Sequence, residues 1–443
     1  MLNPDSIAYL SMADYGLFAD PVRPAGYSML LIAIHALSET VAVTVWIQHL
    51  LGIATGLLLY GLVRRAGAPV WVATIAAASI LLSLDQIGHE HGLLSEAPFV
   101  FCVTASLYAA VRTLDEPSRL VGMLTTRTAW LVAAALLVGL SVWIRAVGVA
   151  LIPLFAVWFT FALPGAGWTR VGRGALAGLA GLATVVVYLG LNSSSTGYFG
   201  LTEGSGWAIY SRTAPFADCD DFEPPEGTAR LCEQTAPDER PGPDGYGWVT
   251  DSPAQRLFGP PPAGSSKLAA FGWAAARHQP LDYADAVLDD TVKYLGFGVD
   301  DSDLATTDLQ IYPGDHWRVM PWINHLYEDE VLHEAAGLGV LEDTQAVLRV
   351  HPWLLLIATL AAVAAVVLAA GRLRAVAALL LGAGILLLLT PSATAVYGFR
   401  YALPANGPLI AAGAIGVWLI AVRLRDRDAR QRGEDAAAGV QVS

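Results

Sequence analysis

Charged residues are scarce in this sequence of 443 residues: Asp, Glu, Lys and Arg make up only 15% of it, against about 25% in a typical soluble protein. Hydrophobic residues make up 55%, and the mean hydropathy is +0.50. This composition excludes disordered, coiled-coil and collagen-like chains. The formal net charge of −13 argues against nucleic acid as a partner, because it repels phosphate backbones. Most of the chain is therefore predicted to lie in lipid.

Motifs of several enzyme classes are also missing. The sequence has no phosphate-cradling glycine loop, no HExxH, no CxxC and no GxSxG, so it gives no support to nucleotide hydrolysis or serine esterase chemistry. Apolar runs carry no carboxylate at their centres, since Glu39, Asp85 and Glu96 lie at their ends. This pattern argues against an ion-coupled transporter.

Cysteine is rare, with three residues in the whole chain. Cys219 and Cys232 lie in one acidic segment, and they can form a disulfide if that segment faces an oxidising compartment. The closed loop would be worth about 3 kcal/mol. Cys102 lies in an apolar run and is interpreted as a small hydrophobic residue.

Nine apolar runs come near the roughly 20 residues that a membrane-spanning helix needs. They cover residues 41–63, 70–86, 93–113, 129–146, 148–164, 174–192, 352–370, 375–391 and 407–424. The apolar run from Tyr27 to Leu37 is shorter and is interpreted as an interfacial helix. Because the first outer segment then has no preceding span, we expect the natural chain to begin upstream of Met1.

Arginine fixes the predicted orientation of these spans. Fourteen of the seventeen arginines outside residues 193–350 fall on one side, which is therefore predicted to be cytoplasmic. Residues 1–40, 85–92, the turn at 145–148, 193–350 and 390–406 are then outside. The sequence predicts a multi-pass plasma-membrane protein whose active site faces away from the cytoplasm.

Five regions follow from this pattern: an outer loop at 1–40 with amphipathic helices, spans in 41–192, an insert at 193–350, spans in 351–424 and a cytoplasmic tail at 425–443. The insert carries 26 acidic and 9 basic residues. Its many Trp and Tyr residues predict a folded domain rather than a linker. Within it, 283–294 has helical spacing and 218–262 is predicted to be loop. The predicted fold is a mainly α, polytopic membrane protein with a small extracytoplasmic domain.

Three arginines, Arg23, Arg145 and Arg400, lie on the predicted outer side against the general bias. A guanidinium there suits a phosphate or pyrophosphate, which it can hold by bidentate hydrogen bonds. The alternative for any one of them is a snorkelling side chain or a structural ion pair. Together they favour an anion-binding site.

Acidic residues on the same side provide candidate bases. Asp5 could take a proton from an acceptor hydroxyl, or cap a helix over residues 6–17, and one role does not exclude the other. His89, Glu90 and His91 with Glu96 lie in the outer turn, where alternate residues of an extended chain would bring His89 and His91 together. A divalent metal ion is thus a candidate cofactor, but solvated histidines are the commoner case, and Glu90 is preferred as an acid near the site.

Four segments carry a family resemblance. PDSIAYLSMADYG and RPAGYSMLL resemble the first outer loop of GT-C glycosyltransferases that use polyprenyl-phosphate sugars, such as protein mannosyltransferases and the lipid A aminoarabinose transferase. WIRAVGVALIP and FRYALPANGPLI resemble two later segments of the same enzymes. The resemblance covers roughly 1–192 and 352–424. Many members have two adjacent acids where this chain has Asp5 and Ser6.

The resemblance implies roles for single residues. Asp5 would be the catalytic base, Arg145 and Arg400 would contact the carrier phosphate, and Glu90 or Glu96 would be the acid of the second loop. The remaining residues expected to bind substrate are Tyr9, Arg23, Tyr27, His89, His91 and Tyr401.

The implied function is an inverting glycosyltransferase that moves a sugar from a polyprenyl phosphate to a hydroxyl of a glycan, lipid or protein. The insert would cover the cavity and help to select the acceptor. Two alternatives remain: a lipid-linked-sugar flippase, which needs the arginines but not Asp5, and an assembly scaffold whose insert binds a partner.

Overall fold

Helices form most of the chain in a computed structural model, which describes residues 4–115, 120–121, 124–299 and 348–440. The N-terminal helices are α1 Pro4–Tyr15, α2 Gly26–His35, α3 Val41–Arg65, α4 Val70–Leu81, α5 Leu84–His91, α6 Glu96–Arg112, α7 Thr126–Ile144, α8 Leu151–Ala162 and α9 Gly167–Thr196. A two-stranded antiparallel ribbon, β1 Leu120–Val121 and β2 Leu124–Thr125, precedes α7. The insert contributes α10 Ser205–Thr213, α11 Pro243–Gly247, α12 Pro253–Phe258, α13 Ser265–His278 and α14 Pro280–Lys293. The C-terminal helices are α15 Pro352–Leu368, α16 Gly371–Thr394 and α17 Leu403–Val440.

Within the described residues, five helices are long and apolar enough to cross a membrane: α3, α7, α9, α16 and the segment Phe399–Arg432, which includes most of α17. α4 and α5 pass the same test as one pair bent by 45°. On α3, Trp46, Leu50, Ile53 and Leu57 are exposed at helical spacing, as lipid-facing residues are. The predicted polytopic helical membrane fold is confirmed, and a helix or helix pair lies at each of the nine predicted spans.

The bend between α4 and α5 differs from the straight span and outer turn that were expected for 70–92. Ser83 breaks the helix with an extended backbone, and its Oγ accepts a hydrogen bond from the N–H of Gln86 at 3.4 Å. This cap starts a new helix in place of an extended turn. His89 and His91 therefore stand two positions apart on a helix, where side chains point to different sides.

Helices α15 and α17 pack at close range through small residues. A Cβ atom built on Gly416 would lie 1.8 Å from the carbonyl oxygen of Ala361, and one on Gly413 would lie 2.6 Å from that of Ala358. Only glycine fits this approach, which is typical of membrane helix pairs.

Helix α1 belongs to the core of the membrane body. Tyr9, Leu10 and Met12 are buried there, and α1 packs against α2. The helix begins at Pro4, so Asp5 lies in its first turn and is not the cap of a helix over 6–17. The N-terminal segment is thus built into the bundle, where it can hold Asp5 in a fixed place.

The insert has a core of its own, built on Trp207, Tyr210, Tyr246 and Phe271. Cys219 and Cys232 form a disulfide beside it. Helix α14 lies where 283–294 predicted a helix, whereas 218–262, predicted to be loop, includes two short helices, α11 and α12. Part of the predicted insert, 300–347, lies outside the described residues.

Candidate active site

Asp5 is held by two arginines from distant parts of the chain. The Nε of Arg23 lies 3.0 Å from its Oδ1, and the Nη1 of Arg400 lies 2.8 Å from its Oδ2. Burial raises the pKa of Asp5, but the positive charges of Arg400 and Arg23 outweigh this effect and lower the pKa to about 2. Asp5 is therefore ionised at any physiological pH.

Arg23 is fixed by a local turn that was not predicted from the sequence. Asp20 Oδ1 accepts hydrogen bonds from the backbone N–H groups of Val22 and Arg23, at 2.8 and 2.6 Å. Its Oδ2 lies 3.2 Å from Nη1 of Arg23. An Asp followed three positions later by Arg is the signal that could have indicated this turn.

Glu96 forms the second acidic point of the site. It is the first residue of α6, only 1% of its side chain is exposed, and it accepts a hydrogen bond from Nη1 of Arg145. Arg145 follows the last residue of α7 with an extended backbone, which turns its side chain out of the helix path. Its Nη1 also lies 3.2 Å from Oγ of Ser95. The Oε2 of Glu96 has no hydrogen-bond partner within the described ranges.

Arg400 connects the two acids. Its Nε lies 4.0 Å from Oε1 of Glu96, while its Nη1 contacts Asp5. Arg400 belongs to a short 3-10 helix, Phe399–Ala402, that leads into α17. The site thus draws on five places in the chain: α1, the turn that carries Arg23, the start of α6, the end of α7 and the 3-10 helix before α17.

Two tyrosines line this group. The ring centre of Tyr401 lies 5.4 Å from the guanidinium carbon of Arg145 and 5.3 Å from that of Arg400. The Tyr9 hydroxyl donates to Oγ of Ser95 at 2.9 Å. Burial raises the pKa of Tyr9 to about 12, although Arg145 acts against it, so Tyr9 stays protonated. Tyr27 packs against Tyr9, and the centres of their rings lie 4.9 Å apart.

A second polar group, on α3 and α5, contains Glu90 and His91. His49 Nδ1 lies 3.0 Å from Oε2 of Glu90, and its Nε2 lies 3.3 Å from Nδ1 of His91. Gln86 donates to Oε1 of Glu90 at 2.9 Å. The Glu90 carboxylate packs directly against Gly52 of α3: a Cβ there would lie 1.9 Å from its Oε1, so a larger residue would displace this carboxylate. His49 is a functional candidate that shows no signal in the sequence.

Tyr27 and Gln48 connect this second group to the first. The Tyr27 hydroxyl donates to Oε1 of Gln48 at 2.6 Å, and Nε2 of Gln48 donates to the carbonyl oxygen of Glu90 at 2.8 Å. Glu90 itself forms no ion pair with Arg145 or Arg400 in the described part of the chain. Of the two candidates for the acid of the second loop, the geometry therefore favours Glu96.

His89 does not converge with His91, which corrects the expectation of a histidine pair. Its Nδ1 lies 2.7 Å from the carbonyl oxygen of Asp85, one helical turn earlier, whereas His91 contacts His49. Among the described residues, no group of three or more His, Cys, Asp or Glu side chains could hold a metal ion. Asp5 and Glu96 are both in ion pairs with arginine, an environment that does not suit a cation. The described side chains do not fit the divalent metal considered from the sequence.

The insert is anchored to the segment just before Arg400. The Tyr283 hydroxyl donates to the carbonyl oxygen of Ala393 at 2.8 Å, and the N–H of Tyr397 donates to Oδ2 of Asp290 at 3.1 Å. Asp290 is also paired with Arg212, whose side chain is only 3% exposed. These contacts join α14 to the residues that position Arg400.

Comparisons with known proteins give structural likeness only. No family model and no curated protein matches the chain. It is similar to the oligosaccharyltransferase AglB from Archaeoglobus fulgidus in complex with an inhibitory peptide and a dolichol-phosphate, with 15% identity and a TM-score of 0.45 over 97% of this chain and 48% of that one. It is also similar to ArnT from Cupriavidus metallidurans bound to undecaprenyl phosphate, with 16% identity and a TM-score of 0.31 over 94% and 74%. The chain spans about half the length of the archaeal oligosaccharyltransferase.

Proposed function

We propose that this chain is a membrane glycosyltransferase that takes a sugar from a polyprenyl phosphate and transfers it to an acceptor hydroxyl on the extracytoplasmic side. One observation carries the proposal: Asp5 and Glu96 meet Arg145 and Arg400 in a single, largely buried group at one end of a membrane helix bundle. A base, an anion site and access from lipid are the three things that this reaction needs.

The donor phosphate would bind where Arg145 and Arg400 now contact Glu96 and Asp5. Both guanidiniums lie near the ring of Tyr401, and each is a planar fork of N–H donors that matches phosphate oxygens. The lipid tail would lie among the apolar helices. The unpartnered Oε2 of Glu96 would accept a hydrogen bond from a sugar hydroxyl.

The phosphate and Asp5 would compete for the same guanidinium. A carboxylate with a pKa of about 2 is a weak base. When the donor phosphate draws Arg400 away, the loss of that positive charge raises the pKa of Asp5. Donor binding would therefore make Asp5 a stronger base, and it would do so only when the sugar to be transferred is present.

The reaction then balances as a single displacement. The acceptor oxygen forms a bond to the anomeric carbon, its proton passes to Asp5, and the bond from that carbon to the phosphate oxygen breaks. The carrier phosphate leaves with one more negative charge, and the configuration at the anomeric carbon is inverted. One well-placed donor to that developing charge contributes about 3 kcal/mol.

Transfer assays of the purified protein with a panel of polyprenyl-phosphate sugars test the proposal by following the release of carrier phosphate. Asp5→Asn should abolish transfer and keep donor binding, whereas Arg145→Ala should weaken both. Asp14→Asn is the matched control, since Asp14 lies exposed on the same helix. Wild-type transfer by Asp5→Asn would contradict the mechanism. A flippase would be identified instead if Asp5→Asn moved a lipid-linked sugar across the membrane of vesicles while neither the wild type nor any variant transferred the sugar.

A further inference from the structure

A second group of charges lies at the opposite end of the bundle from Arg400. Asp115, just after α6, forms ion pairs with three arginines. The Nη1 of Arg65 lies 2.5 Å and the Nε of Arg112 3.1 Å from its Oδ2, and the Nη2 of Arg372 lies 2.6 Å from its Oδ1. We call these four residues the Asp115 cluster. Helix α6 has Glu96 at its first residue and Arg112 at its last, which are roughly 24 Å apart along a helix.

The Asp115 cluster has more positive charge than its single acid can balance. Each guanidinium has five N–H donors, whereas one carboxylate offers only about four acceptor positions. In the described ranges, the three arginines pair with no acid other than Asp115. A net positive charge and spare donors are left for a further anion.

The surroundings of the Asp115 cluster place it at the level of lipid headgroups. Its side chains are between 27% and 36% exposed. The Nε of Arg65 donates to the Tyr108 hydroxyl at 3.2 Å, and the guanidinium carbon of Arg112 lies 4.5 Å from the ring centre of Trp130. Tyr and Trp are typical of the boundary between hydrocarbon and headgroups. A ligand can thus reach the arginines from the membrane surface.

We propose that the Asp115 cluster binds the phosphate group of an anionic phospholipid on the face opposite to the active site. Phosphate oxygens fit the guanidinium fork, and a headgroup with a net negative charge attracts the arginines more strongly than a zwitterionic headgroup does. The arginines come from the end of α3, the end of α6 and the start of α16, so one phosphate would connect three helices.

Native mass spectrometry of the purified full-length protein with phosphatidylglycerol, phosphatidylcholine or inorganic phosphate tests this site. Phosphatidylglycerol should bind in preference to phosphatidylcholine. Arg112→Gln combined with Arg372→Gln should weaken that binding about tenfold or more. The control pair is Arg374→Gln with Arg423→Gln, because these arginines lie on the same side and donate to backbone carbonyls. The control pair should bind phosphatidylglycerol as the wild type does.

Asp115→Asn keeps the proposal testable even if the arginine variants fold poorly. It removes the carboxylate that competes with the lipid phosphate, so we expect tighter binding of phosphatidylglycerol and a larger rise in unfolding temperature when the lipid is added. Weaker binding by Asp115→Asn, or equal losses in the two arginine pairs, would overturn the site. Inorganic phosphate that binds as tightly as the lipid would overturn a phospholipid as its ligand.

Discussion

At the scale of single residues, the central feature is a balance of charge. Arg23, Arg145 and Arg400 face the carboxylates of Asp5, Asp20 and Glu96. A neutral group of this kind does not attract anions from far away. It can bind a phosphate only by exchanging one anion for another, which links donor binding to the state of Asp5.

The first prediction concerns how the stability of the fold changes at low pH. The pKa of Asp5 is about 2 in the folded chain against 3.8 as the ordinary value. A carboxyl whose pKa is lowered by folding stabilises the fold above its unfolded pKa, and this contribution is lost as the pH falls through the folded value. We expect Asp5→Asn to lower the free energy of unfolding by about 2 kcal/mol at neutral pH.

Thermal unfolding in detergent over a pH series measures this effect. The gap between wild type and Asp5→Asn should close as the pH falls from 3.8 toward about 2. Asp14→Asn should change the free energy of unfolding by no more than about 0.5 kcal/mol. A gap for Asp5→Asn that stays constant in acid would show that Asp5 is not held by ion pairs.

The second prediction separates charge from shape at Arg400. Arg400→Gln removes a donor to the departing phosphate and should lower kcat about 100-fold. Arg400→Lys keeps the charge but cannot contact Asp5 and Glu96 at once, so its kcat should fall between those of Gln and wild type. Steady-state kinetics with the active donor provide both values. Wild-type kcat in Arg400→Lys would mean that a point charge is sufficient.

Part of this site could be predicted from the sequence because its arginines lie on the side of the spans where arginine is otherwise rare. Arg23, Arg145 and Arg400 stand against the charge bias of the spans, so they were visible without a structure. His49 was not, because a single histidine in an apolar run gives no signal until α5 brings Glu90 beside it. The histidine pair was wrong because a Ser cap makes 84–91 a helix.

At the scale of elements, α14 connects the insert to the residues just before Arg400 in the proposed catalytic group. Asp290 accepts a hydrogen bond from the N–H of Tyr397, which lies three residues before Arg400 in the chain. Asp290 also pairs with the buried Arg212. The same acid also contacts Lys293, at 3.0 Å. The insert is therefore part of the support of the site as well as a cover.

The third prediction tests this anchor. Asp290→Asn leaves the charge of Arg212 buried without its acid, which should cost about 3–5 kcal/mol of unfolding free energy. It should also lower kcat, because the N–H of Tyr397, three residues before Arg400 in the chain, loses its carboxylate acceptor. Asp289→Asn is a matched control: Asp289 contacts the same Lys293 but is 64% exposed, so its loss should cost less than about 1 kcal/mol. Equal effects of the two variants on stability and kcat would contradict the anchor.

Element positions were predictable from hydrophobic length, and element contacts were not. Runs of about 20 apolar residues locate the helices because lipid requires that length. The close approach of α15 and α17 depends on Gly416 meeting a carbonyl oxygen of α15, and the contact of α14 with residues 393–397 depends on tertiary packing. Neither leaves a periodic trace in the sequence.

At the scale of the whole molecule, charge separates by end of the bundle. Arg65, Arg112 and Arg372 gather at one end, and the acidic insert lies at the other, beside Arg400. Because arginines near span ends are usually retained on the cytoplasmic side, this distribution predicts that the Asp115 cluster faces the cytoplasm. The proposed active site would then lie outside.

The fourth prediction tests the orientation through the disulfide. Thiols stay reduced in the cytoplasm and pair in oxidising compartments, so non-reduced peptides from native membranes should contain Cys219 joined to Cys232, with Cys102 free. Cys219→Ser should lower the unfolding free energy of the insert by about 3 kcal/mol, since the loop is no longer closed. Mass spectrometry gives the pairing, and Cys102→Ser, which should leave the pairing unchanged, is the control. Two free thiols at 219 and 232 in correctly inserted protein would place the insert on the cytoplasmic side, and the base, the arginines and the acceptor would then have to be sought there.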